Sequence, residues 1–92
     1  MQIGRFSRVP LRMIAIFDPT GRIQPFRFKL ENEKHEVEIV TVKDVRSRQE
    51  RKMGGTPEIL FLCTADQDGR ERLFELVYGI ASHRWFLTGI LT

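Results

Sequence analysis

The densest run of chemically capable side chains is Val45 to Gly55, VRSRQERKMGG, which packs four cations into the seven residues from Arg46 to Lys52 and ends in two glycines. Arg46, Arg48, Arg51 and Lys52 could hold phosphates without reading a base sequence. Gly54 and Gly55, with Thr56 after them, could turn backbone N–H groups toward an anion. These six residues are the candidate anion or nucleic-acid contacts. The run is not a P-loop, because Lys52 precedes the glycines and the Gly-Lys-Ser/Thr order is absent. The competing reading is an exposed connection between strands, in which the glycines permit a sharp turn and the charges mark a solvated face.

Other reactive groups are few. Cys63 lies between Leu62 and Thr64 with no histidine near it in sequence, and reads as a buried structural thiol rather than a nucleophile. His35 and His83 are the only imidazoles. No C-x-x-C or H-x-x-x-H spacing accompanies them, so no metal site is expected. Glu31, Glu33, Glu36 and Glu38 form an acidic cluster, but acid–base work needs a desolvated cleft, and these carboxylates have charged neighbours. With Lys34 the cluster sums to −3, and Lys43 to Lys52 sums to +3, so the two segments could face each other. Arg27 and Lys29 interleave with Phe26 and Phe28, as in nucleic-acid sheets, but the alternation turns both rings toward the core. No catalytic residue, metal or cofactor is assigned.

The elements that must carry these groups are strands. Asp18-Pro19-Thr20-Gly21 has type I turn chemistry. Asp66-Gln67-Asp68-Gly69 is a second turn, Glu31-Asn32-Glu33-Lys34 a weaker one, and Gly79 to His83 a fourth break. Between them the apolar residues recur every second position. Phe26, Phe28 and Leu30 share one face. So do Ile59, Phe61, Cys63 and Ala65; Phe74, Leu76 and Tyr78; and Trp85, Leu87 and Leu91. Leu11 to Phe17 is apolar on both faces and reads as a central strand. Val37 and Ile39 fall in one phase and Val40 and Val42 in the other, which predicts a β-bulge between them. Val45 to Met53 suits a helix by composition but lacks an apolar stripe. The expected fold is all-β: six to seven short antiparallel strands in a meander, curled into a small barrel of the Src-homology-3 type or similar.

With 92 residues the chain is one domain. Its net charge of +3 is reached within residues 1–12, where Arg5, Arg8 and Arg12 have no acid beside them. The other 12 cations match the 12 acids. Residues 1–12 therefore read as a basic leader, either disordered or upstream of a start at Met13, before a single barrel domain at 13–92. No apolar run is long enough for a membrane helix, no secretory signal is recognisable, and one cysteine allows no internal disulfide. The expected compartment is the cytoplasm.

From Met13 onward the chain carries Asp18-x-x-Gly21-x-Ile23-x-Pro25, then Arg27-Phe28, then a Val-rich strand. Arg46, Lys52-x-Gly54-Gly55, Phe61-Leu62-Cys63, Glu75-Leu76-x-Tyr78 and Arg84-Trp85-Phe86-Leu87 follow. In this order residues 13–92 resemble a group of small uncharacterised proteins from clostridia and related Gram-positive bacteria. The resemblance implies a bacterial, stand-alone, single-domain protein, supports the Met13 start, and transfers no catalytic residue.

These readings converge on a non-enzymatic binding or protein-interaction module, with an unidentified protein or a second copy of the chain as partner and no membrane. The alternative is a nucleic-acid-binding barrel that uses Arg46 to Lys52.

Overall fold

Turn chemistry sets the strand ends. Asp18 Oδ1 accepts hydrogen bonds from Thr20 N (2.9 Å), Thr20 Oγ1 (2.7 Å) and Arg22 N (2.9 Å). The Thr20 hydroxyl, then the Arg22 amide, hold the Asp18 carboxyl below the usual carboxylate range. Gly54 and Gly55 have φ of 58° and 84°, the two left-handed residues of a type I′ hairpin closed by the Met53–Thr56 pair. Asp68 and Gly69 repeat that device between Gln67 and Arg70.

The computed structural model describes residues 3–31 and 34–92. It contains six strands and no helix among the described residues: β1 (Gly4–Phe17), β2 (Ile23–Glu31), β3 (Val37–Met53), β4 (Thr56–Gln67), β5 (Arg70–Gly79) and β6 (Arg84–Ile90). Each pairs antiparallel with the next, and β6 returns to β1, which closes a small barrel. No helix there is long and apolar enough to cross a membrane. The expected Glu31–Lys34 turn and Glu33 of the acidic cluster fall on or beside Asn32 and Glu33, which lie outside the described residues, as do Met1 and Gln2.

Residues 4–11, read from the sequence as part of a separate leader, are the half of β1 that pairs with β6. Phe6, Val9 and Leu11 pack against the core. That core is filled by Phe28, Leu30, Val40, Phe61, Phe74, Leu76 and Leu87, with Tyr78 and Trp85 at its rim. Phe28 and Phe74 meet edge to face at 5.5 Å, a favoured aromatic geometry.

Four local expectations need correction. The second half of β1 is not a central strand, because Met13 and Ala15 turn inward while Ile14, Ile16 and Phe17 are exposed. No phase change separates Ile39 from Val40: Val37 and Ile39 face out and Val40 faces in, on one regular alternation. The bulges of β3 come later, at Val42–Asp44 and Val45–Ser47. Two further irregularities shift residues that alternation had aligned. The slip at Ile14/Ala15 puts Pro25 inside and leaves Phe26 half-buried, and the slip opposite Glu75/Leu76 seats Ile90 in the core instead of Leu91.

Candidate functional site

The stretch from Val45 to Met53 is neither loop nor helix. It is the distal half of β3, paired throughout with β4. Two bulges and then strict alternation scatter its cations. Each bulge places two β3 residues against one on β4, with Lys43 and Arg46 as the extra residues. Lys43 Nζ lies 3.0 Å from Glu71 and 3.7 Å from Asp66, while Arg46 lies 3.1 Å from Asp44 and 3.7 Å from Glu71.

Beyond the second bulge, Arg48 comes opposite the buried Phe61 and therefore turns inward. Its guanidinium lies 5.8 Å from the Phe61 ring centroid, within cation–π range. It reaches Glu50 at 3.5 Å, and its side chain is only 20% exposed. Its Nε is buried without a hydrogen-bond partner. Arg51 points the other way, and its Nε and Nη2 each meet Glu58 Oε2 at 3.0 Å. Lys52 alone of the four stays exposed with no acidic partner among the described residues. Gly54 and Gly55 face open space at the hairpin tip. The stretch thus converges on no common point, and its acid partners in the structure are Asp44, Glu50, Glu58, Asp66 and Glu71 rather than the upstream cluster.

Glu58 is only 3% exposed, although it faces away from the core. Arg8 Nη2 of β1 approaches its other oxygen at 2.7 Å, so two arginines bracket one buried carboxylate. Arg8 also lies over the Phe86 ring at 5.4 Å. Glu75, also buried, accepts from Arg5 Nε at 3.0 Å and from Thr88 Oγ1 at 2.9 Å. These contacts are structural clamps, because both oxygens of each buried carboxylate already accept from β1, β3 or β6 donors.

The remaining candidates stay apart. Cys63 is fully buried, and burial pushes its thiol up to about 12, so no thiolate nucleophile exists near neutrality. His35 Nδ1 lies 2.7 Å from Glu31, and His83 Nδ1 lies 2.8 Å from the Tyr78 hydroxyl. No group of three metal-ligating side chains comes together among the described residues. A cleft of about 610 Å3 opens beside Glu31, Glu36, Glu38, Gln67 and Asp68. Most of its carboxylates are occupied: Glu31 is held by His35, Gln67 Nε2 donates to Glu38 at 2.6 Å, and Glu36 is also engaged.

The neutralisation of Arg5 and Arg8 moves the uncompensated charge elsewhere. Residues 12–30 hold Arg12, Arg22, Arg27 and Lys29 against Asp18 alone, a sum of +3. Arg12 stands directly opposite Lys29, Lys29 opposite Ile39, and Ile14 opposite Arg27. Arg27 stacks over Phe26 at 5.2 Å and donates to Thr41 Oγ1 at 3.1 Å. None of Arg12, Arg27 and Lys29 makes an ion pair among the described residues. Between them Ile14 is 57% and Ile39 63% exposed, with Ile16, Phe17 and Val37 also open. The outer face of β1, β2 and early β3 is therefore a continuous surface of aliphatics and unneutralised cations. The alternation of Arg27 and Lys29 was its only sequence signal, and a segment-by-segment charge count hid it by crediting the excess to residues 1–12. No family model, curated protein or solved structure matches this chain.

Proposed function

We propose that this protein is a non-enzymatic binding module that engages a protein partner through the outer face of β1, β2 and the start of β3. One observation carries the reading. On that face Arg12, Arg27 and Lys29 lack acidic partners among the described residues, while Ile14, Ile16, Val37 and Ile39 are exposed beside them. Large aliphatics on a solvated sheet are costly unless covered, and such patches mark interaction surfaces. The cations select a partner that brings carboxylates around its own apolar contact. Four exposed aliphatics against one open ring, Phe17, suit a protein better than bases, which stack on exposed rings.

The test compares the native chain with an Ile14→Glu/Ile39→Glu variant of equal thermal stability, each immobilised against cell extract, alongside light scattering over a concentration series. The reading expects one partner, or self-association, that is salt-sensitive and absent for the variant. Identical capture by both forms, with both monomeric, would sink it. Oligonucleotide binding at low salt that Arg12→Glu/Lys29→Glu abolishes would instead establish the nucleic-acid alternative, relocated away from Arg46 to Lys52.

A further inference from the structure

The ladder between β1 and β2 stops at Arg12 and Lys29. N-terminal to this point β1 keeps only β6 as partner, while β2 runs on to Glu31 against β3. The strands part and leave a wedge in the barrel wall, a cleft of about 520 Å3. Its apolar lining includes Val9, Leu11, Leu30 and Val37, and Arg12 and Lys29 stand where the strands separate. Alternation decides the layering. Val9, Leu11 and Leu30 turn inward and belong to or touch the core, whereas Arg12 and Lys29 are exposed on the outside. An apolar slot thus lies behind a cationic threshold.

We propose that this wedge binds a small amphipathic anion, with a carboxylate head between Arg12 and Lys29 and a short aliphatic tail against Val9, Leu11 and Leu30. Like charges directly opposite on neighbouring strands repel, and an anion between them removes that repulsion. Arg12 supplies the planar fork that suits a carboxylate. The volume lies within the roughly 300–1,000 Å3 of small-molecule sites. Pro10 on the same wall has no amide hydrogen to offer, which makes the wall a poorer template for an added strand than for hydrocarbon. Glu31, the acid of the lining, is held by His35 at 2.7 Å and sits on the β2 side, where it disfavours a doubly charged head. The site takes free, singly dispersed molecules, because it is recessed between two strands. It shares Arg12 and Lys29 with the outer face, but its tail contacts Val9, Leu11 and Leu30 lie outside that face, so it stands whether or not the face holds a protein.

The experiment is an amide NMR titration of the full chain with octanoate, kept below its micelle-forming concentration. Saturable shifts are expected at Val9, Leu11, Arg12 and Lys29 to Glu31. Octanol should bind at least roughly tenfold more weakly. Arg12→Ala/Lys29→Ala should lose affinity to the same degree, and Lys29→Gln, a milder change, by a smaller factor with its native spectrum retained. Absence of shifts at those amides, equal binding of octanol, unchanged affinity in Lys29→Gln and the double variant, or shifts only with phosphatidylglycerol vesicles would each overturn the proposal.

Discussion

Removing Arg8 and Arg51 together leaves Glu58 buried, charged and unpaired. Each arginine alone is partly open, with 40% and 33% of its side chain exposed. Solvent therefore screens each contact, and one deletion still leaves the other arginine, so Arg8→Ala or Arg51→Ala should each cost about 1 kcal/mol. The double variant is different in kind. It strands a carboxylate that is 3% exposed, and breaking a buried pair in that way costs about 3–5 kcal/mol. The excess over the summed singles, about 1–3 kcal/mol, is the coupling through Glu58. In a domain of this size each kcal/mol moves Tm by roughly 4–8 °C. The singles should therefore fall by about that amount, and the double by at least about 12 °C. Adding Glu58→Gln to the double variant removes the stranded charge and should raise Tm again. Thermal and urea unfolding followed by circular dichroism measure all four variants. Strict additivity of the singles, or no recovery with Glu58→Gln, would refute the assignment of Glu58 as the shared anchor.

Deletion of residues 1–12 removes the entire β1–β6 ladder and both leader clamps, so the shortened chain should lose the amide-shift dispersion of a folded sheet. Gly54→Ala and Gly55→Ala should each cost about 1–2 kcal/mol. A Cβ meets nothing at either position, so the loss is backbone strain at positive φ, and urea midpoints will show it. Burial raises the Cys63 thiol from 9.0 to about 12, and ionisation therefore favours the unfolded chain. The stability this contributes is complete below pH 9 and is lost as pH rises toward 12. Urea midpoints should decline across that window, and Cys63→Ala should flatten that part of the decline.

The barrel was legible because periodicity and turn chemistry agreed over β4, β5 and most of β2 and β6. What escaped was set by single-residue slips. Phe26 is itself the extra residue of a slip and Leu91 sits beyond one, and one extra residue reverses the face of everything after it. At the candidate site two bulges cancel: only Val45, between them, changes phase, and Arg48 keeps the inward phase of Val40 and Val42 and so lies against Phe61, where its charge had read as solvated. Glu58 and Glu75 carried no sequence signal as buried groups. Their partners Arg8 and Arg5 lie 50 and 70 residues away, and only the closed sheet brings them together. For the same reason the charge of residues 1–12 could be counted but not located.

The join of β1 to β6 has a consequence for how the molecule comes into being. Gly4 pairs with Ile90, so β1 must wait for β6, which is synthesised about 80 residues later. Meanwhile each of the other strand pairs joins sequence neighbours and can form as the chain emerges. During that interval Phe6, Val9 and Leu11 have no β6 to cover them, and an aliphatic edge lies open to other nascent chains.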